Sequence, residues 1–238
     1  MRAAGRGACG RRRHGVLRRR GAARRRRSAC VRDARGHGGG AGRDLRLSRS
    51  SSADELEVKA RVDDPEALRR VLGWAGAVSE FRGAMVDRRF DRKGRLERRD
   101  EVLRLRIYRP ADGSPAYGVL GWKGPHSKRG KYRHREESEA RIADPDAALT
   151  ILERLGFEVT LRIDRTVEIY RLGDAVLRLE WYPRMDVLLE VEGEPAAIER
   201  AITATGLARE RFLPESLTHF VEAYEARTGR RARLTVPV

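Results

Sequence analysis

The sequence predicts an α+β domain: an eight-stranded antiparallel β-barrel with helices packed outside it, preceded by a disordered basic N-terminal tail. Three observations carry this expectation. Eight segments between residues 55 and 192 alternate charged and apolar residues with a period of two, the mark of strands with two unlike faces. Four segments open at a proline, close at a glycine and have helical spacing between. Connections such as "DRKGR" and "RPADGS" are short and turn-like, which suits a meander that closes on itself.

The first strand, 55–62, reads "ELEVKARV". Its alternation sends Glu55, Glu57 and Lys59 to one face and Leu56, Val58 and Ala60 to the other. Asp64-Pro65 then opens a helix over "PEALRRVLGWAG", because Asp is a natural N-cap and proline at the first helical position forfeits no hydrogen bond. Strands follow at 81–91, 101–109 and 116–123. The third sets Arg104 and Arg106 against Leu103, Leu105 and Ile107, and the fourth ends in Lys123. The fifth, 132–142, offers Arg133, Arg135, Glu137 and Glu139 on one face, and Asp144-Pro145 opens the second helix, "PDAALTILERLG". The sixth, 158–170, offers Arg162, or Arg165 if a bulge shifts the register. The seventh, 174–182, places Arg178 and Glu180 opposite Leu177, Leu179 and Trp181; the eighth, 186–192, places Glu190 and Glu192 opposite Leu189 and Val191. Helices from Pro195 and Pro214 complete the set.

The stretch from Glu57, "EVKARVDDPEALRRVL", resembles "ESEARIADPDAALTIL" from Glu137 at a constant offset of 80. Common ancestry of two halves is one explanation, and shared strand-to-helix grammar is the other.

The chain of 238 residues carries a formal charge of +17, unevenly spread. Residues 1–52 hold 17 Arg and 2 Asp, a balance of +15, which leaves +2 for the remaining 186 residues. The tail has no apolar periodicity, so it lacks surface with which to offset its conformational entropy. Three readings are open: a basic disordered arm for polyanions, an Arg-rich targeting peptide, or upstream GC-rich sequence translated from a misassigned start, which lysine-free arginine runs favour. No run of apolar residues resembling a secretory signal or a membrane span is present. Both cysteines, Cys9 and Cys30, lie in the tail, so neither disulfides nor thiolate-bound zinc holds the domain together. The domain, 53–230, is expected to be cytoplasmic. His126, His134 and His219 lack metal-ligand spacing, and the glycines at 36–42 lack the rest of a phosphate loop. Trp74, Trp122 and Trp181 read as core or rim packing.

One strand with a charged face is ordinarily solvated. Eight such strands with four amphipathic helices available to cover the apolar faces imply that the charges point inward. Two carboxylates ~5 Å apart at an effective dielectric of ~20 repel by roughly 3 kcal/mol. A divalent cation relieves that repulsion, and an all-oxygen donor set suits Mg²⁺ or Mn²⁺. The clustered Arg and Lys then call for a polyanion, phosphate above all.

Glu55-x-Glu57-x-Lys59 resembles the signature of the CYTH family, also called triphosphate tunnel metalloenzymes. "LRLR" (Arg104, Arg106), "WKGP" (from Lys123), "REESE" (Arg135, Glu137, Glu139) and "LLEVEGE" (Glu190, Glu192) follow in the family's order, over about 54–225. The family includes class IV adenylate cyclases, thiamine triphosphatases and inorganic tripolyphosphatases. The resemblance implies a tunnel whose metal ligands come from Glu55, Glu57, Glu190 and Glu192, with Glu180 in the place of a strand-seven acid and Glu137 and Glu139 as further candidates. Phosphate contacts are implied for Lys59, Arg104, Arg106, Lys123 and Arg135, with Arg162, Arg165 and Arg178 as further candidates. The family's Lys-x-Arg on strand six stands here as "LRIDR". Its basic residue and Ser-Tyr near the last helix stand as "LPESLTHF", with Leu217 in place of Tyr.

The activity expected is metal-dependent hydrolysis of a triphosphate: inorganic tripolyphosphate, thiamine triphosphate or a nucleoside triphosphate. The catalytic candidates are Glu57 or Glu192 as base, with Lys59 as a phosphate clamp. Conversion of ATP to cyclic AMP and pyrophosphate is the alternative, with the nucleoside read by the segment 121–133. A non-catalytic polyphosphate-binding module is the third reading. The expected partner is a triphosphate-bearing small molecule; no membrane is expected, and nucleic acid only non-specifically through the tail. A homodimer is left open.

Overall fold

The computed structural model describes residues 53–237, with side chains described from Leu56 onward. The tail expected at 1–52 and the Glu55 side chain lie outside the described residues. The strands are β1 (Ala53–Val62), β2 (Val78–Asp91), β3 (Val102–Pro110), β4 (Tyr117–Lys123), β5 (Ser127–Arg129), β6 (Tyr132–Ile142), β7 (Glu158–Leu172), β8 (Ala175–Trp181) and β9 (Val187–Glu192). The helices are α1 (Pro65–Trp74), α2 (Pro145–Arg154), α3 (Pro195–Thr205) and α4 (Leu217–Thr228). Among the described residues no helix is long and apolar enough to cross a membrane.

All pairings between strands are antiparallel and run β1-β9-β8-β7-β2-β3-β4-β6, and β6 pairs back to β1 to close an eight-stranded barrel. Closure leaves these strands no unpaired edge. The ninth strand, β5, was not expected. It hangs outside the ring as a hairpin on β6, turned at Gly130 with φ of 58°. Its sequence, "SKR", is wholly polar and carries no period-two signal.

The offset of 80 runs further than the matching letters: α1 begins at Pro65 and α2 at Pro145, β2 at Val78 and β7 at Glu158. Asp64 and Asp144 cap α1 and α2 alike, each Oδ1 accepting from the N–H three residues on at 2.9 Å. β1 pairs with β6 and β2 with β7, so exchanging the halves maps the ring onto itself.

The last helix starts later than Pro214 predicts. Leu213 exchanges two backbone hydrogen bonds with Lys59, at 2.9 and 2.8 Å, which keeps the chain extended until Ser216. Trp74 also departs from expectation: it sits at the end of α1 and is 84 % exposed rather than packed.

Helices α1, α2 and α3 cover the outer face, whereas α4 turns Leu217, Thr218 and Val221 toward the interior cavity. Leu56, Val58 and Ala60 of β1, Leu177 and Leu179 of β8, and Leu189 and Val191 of β9 pack with Leu68 and Leu72 of α1 and Ile198 and Ile202 of α3. Val86, Phe90, Leu105 and Ile107 pack with Leu152 of α2. The alternating charged residues therefore face inward. Within the barrel, Met85, Tyr108, Val119 and Val167 form an apolar layer on one side of the charged band. Ile163, Tyr182, Leu188 and Phe220 form another on the opposite side.

Candidate active site in the barrel interior

The inward faces of β1, β9 and β8 place Lys59, Glu190 and Arg178 directly across from one another in register. Lys59 Nζ lies 2.8 Å from Glu57 and 2.7 Å from Glu190. Arg178 bonds Glu190 and reaches Glu192 at 3.2 Å. Burial works against charge on Lys59, and the Glu190 and Glu57 carboxylates outweigh it, holding the ammonium above its ordinary range. Burial likewise works to raise the Glu190 carboxyl, and Lys59 and Arg178 hold it well below the usual carboxylate range. Both groups are therefore charged at neutral pH. Glu57, Glu190 and Glu192 each offer an oxygen, all within 4.8 Å of one another, an all-oxygen group of the kind that holds a hard divalent cation.

A second cluster joins β3, β4 and β6. Arg104 lies 2.7 Å from Glu137 and 3.2 Å from Glu139, and Lys123 lies 3.1 Å from Glu137. Burial acts to raise Glu139, but Arg106 and Arg104 hold it at about 2. Gly121 makes room for this contact: a Cβ there would stand 3.2 Å from Glu139 Oε1.

The third cluster joins β2, β7 and β8. Arg165 lies 2.9 Å from Asp87 and 3.1 Å from Glu180, Arg106 lies 3.5 Å from Asp87, and the Tyr182 hydroxyl donates to Glu180 at 2.5 Å. At the fourth, Arg135 Nη2 donates to Asp100 Oδ1 at 2.8 Å, and its Nη1 donates to the carbonyls of Asp100 and Gly124 at 3.0 and 2.7 Å.

These walls enclose a cavity of ≈ 270 Å³. Eight basic side chains line it (Lys59, Arg89, Arg104, Arg106, Lys123, Arg133, Arg135 and Arg165) against four acids (Glu57, Asp87, Glu180 and Glu190). Glu137, Glu139 and Asp100, behind the lining, pair with Arg104, Lys123 and Arg135, so the wall turns more cations than acids toward the cavity, a face that suits a polyanion. Of the other predicted residues, Arg178, Glu137 and Glu139 contact lining residues, and Glu192 pairs with Arg178. Arg162 faces outward, with its side chain 37 % exposed and paired to Asp164 at 2.9 Å. The backbone of Glu55 stands opposite Arg135 in the β1–β6 ladder. From the segment 121–133, Lys123 and Arg133 line the cavity, whereas 127–131 is exposed. Ser216, Leu217, Thr218 and Val221 of the last helix region, with Leu234, complete the lining.

Asp87, Arg89, Tyr182 and Asp100 were not among the predicted site residues. Asp87 and Arg89 were within reach, since "MVDRRF" in period two puts them beside Arg104 and Arg106. Asp100 was not, because it lies in a turn and reaches Arg135 through tertiary structure alone.

Fold and site together define a closed β-tunnel with a charged interior, a surplus of cations and a three-carboxylate group. The family model of the CYTH domain matches residues 53–213, and the chain belongs to that family. It is 29 % identical over 142 residues to a Methanocaldococcus jannaschii protein named "Putative adenylate cyclase", covering 58 % of this chain and 75 % of that one. A Vibrio parahaemolyticus structure described in the same words superposes with a TM-score of 0.60 at 19 % identity, over 72 % of this chain and 99 % of that one. A Hippeastrum structure, described as a "putative adenylyl cyclase" with "a dominant triphophatase activity", gives a TM-score of 0.52 at 18 % identity, over 77 % and 100 % of the two chains.

Proposed function

We propose that the protein is a metal-dependent triphosphatase that hydrolyses a triphosphate inside the tunnel. The observation that carries this reading is a wall that turns eight cations and four acids toward one cavity, where Glu57 and Glu190 line it and Glu192 completes their three-carboxylate group. The oxygen donors of that group fit Mg²⁺ or Mn²⁺. A bound divalent cation would neutralise phosphate oxygens and acidify the attacking water. Lys59, kept protonated by Glu190 and Glu57, clamps phosphate and does not act as a nucleophile. Arg104, Arg106, Lys123, Arg135 and Arg165 hold the phosphate chain and offset the charge that develops on the departing diphosphate. Glu57 or Glu192, the more accessible of the three acids, takes the proton from water.

The name of the M. jannaschii relative favours a second reading, in which the ribose 3′-hydroxyl attacks and pyrophosphate leaves. The two readings share the triphosphate grip and differ in product. Purified chain should release phosphate from tripolyphosphate, thiamine triphosphate or ATP, and only with Mg²⁺ or Mn²⁺. Phosphate, pyrophosphate and cyclic AMP are measured in one assay. Cyclic AMP as the main product would replace hydrolysis by cyclisation, and binding without turnover would favour a non-catalytic polyphosphate-binding module.

Asp100 supplies a further expected result. Its φ of 52° is one that Asn also tolerates, so Asp100→Asn removes the charge beside Arg135 without new backbone strain. KM for the triphosphate should rise about tenfold, the cost of loosening one charge-assisted contact, with a smaller change in kcat. An unchanged KM would show that the two carbonyls suffice to aim Arg135.

A further inference from the structure

Among the basic side chains that line the cavity, Arg89 differs in its surroundings. It stands on the inward face of β2, directly across from Arg104 on β3 and Leu161 on β7. Of the two acids that stand two residues from it on β2, Asp87 already binds Arg165 and Arg106, and Asp91 accepts from the backbone N–H groups of Leu96 and Glu97. The Arg89 Nε is buried and has no hydrogen-bond partner, a state that the Nε atoms of Arg104 and Arg165 share. The other basic lining residues, by contrast, each lie against a carboxylate.

A guanidinium does not shed its proton to escape such a setting, so the charge persists. Burial and the neighbouring Arg104, Arg165 and Arg135 all press its pKa down, and Asp87 only partly opposes them. Like charges directly opposite on adjacent strands destabilise a sheet. A cation kept there at a cost to the empty protein is one that a ligand satisfies, because strain of this kind concentrates where binding relieves it.

We propose that Arg89 is a substrate-binding residue, whose guanidinium takes a phosphate oxyanion seated between Arg104 and Arg165. The assignment rests on the tunnel as a triphosphate site and adds a grip from β2 to those on β1, β3, β4, β6 and β7. It makes Arg89 favourable for the complex and unfavourable for the empty barrel, and a purely structural arginine has the opposite signature.

The test uses the full chain, tripolyphosphate as probe, calorimetric titration and thermal unfolding. Arg89→Gln should weaken tripolyphosphate binding by about 10- to 100-fold, the worth of a hydrogen bond to a charged group. Its melting temperature without ligand should stay level or rise. Arg89→Lys should recover part of the affinity. Arg88→Gln, an equal change of net charge on the outward face of the same strand, should bind as the wild type does. Wild-type affinity in Arg89→Gln, or equal weakening in Arg88→Gln, would overturn the assignment while leaving the triphosphate site standing. Failure of the wild type itself to bind tripolyphosphate would overturn both.

Discussion

Glu57→Gln and Glu192→Gln should each lower triphosphate turnover at fixed Mg²⁺ by about a hundredfold or more, since even the outer partners of metal ligands are worth 10- to 100-fold. Raising the metal concentration should restore part of the loss. Both side chains are moderately accessible, 14 % and 19 %, so the fold depends on them less than the chemistry does. Glu190→Gln is a different experiment. Glu190 is buried between Lys59 and Arg178, and neutralising it leaves two buried cations short of a partner. That change should destabilise the protein by about 3–5 kcal/mol in addition to any loss of activity. A metal titration and a melting curve on each variant separate the two effects. If Glu57→Gln and Glu192→Gln keep the wild-type metal requirement, the three-carboxylate group does not hold the metal.

The barrel was legible because alternation assigns each strand two faces, and the helices that cover the apolar faces, α1, α2 and α3, decide which face points out. Alternation alone could not choose between Arg162 and Arg165. The choice depends on a register irregularity where Arg89 pairs with Leu161 but Phe90 pairs with Val159, leaving Thr160 as an extra residue on β7. Beyond it, Leu161, Ile163 and Arg165 line the cavity and Arg162 faces out. A bulge adds one residue without a compositional mark, so spacing offers both registers and tertiary pairing selects one. Asp87 and Arg89 were missed for a related reason. Asp87, Arg88 and Arg89 are three consecutive charges, which blur the alternation that identifies a charged face elsewhere. The late start of α4 depends on the Leu213 contact with Lys59, far away in sequence.

Asp87→Ala should be among the most damaging single changes in the barrel. The carboxylate is 3 % exposed and holds Arg165 and Arg106, with Arg89 and Arg104 nearby. Removing it leaves a group of cations without the acid between them, at a cost of about 3–5 kcal/mol. For a domain of this size that corresponds to a fall in melting temperature of roughly 10 °C. The pH dependence has a definite sign. Burial acts to raise the Asp87 carboxyl, and Arg106, Arg104, Arg165 and Arg89 together hold it at about 2, below the unfolded value near 4. Its contribution is therefore present in full above about pH 4 and is lost as the pH falls toward 2. Asp87→Ala should lose stability at neutral pH and show a shallower acid transition than the wild type. Tripolyphosphate should restore more stability to this variant than it adds to the wild type, because a polyanion can replace the missing carboxylate among the same arginines. Melting curves from pH 2 to 7, with and without tripolyphosphate, measure both effects. A variant that melts like the wild type at pH 7 would mean that water reaches these arginines and screens them, and the charged band would then be a solvated channel that needs no anion to balance it.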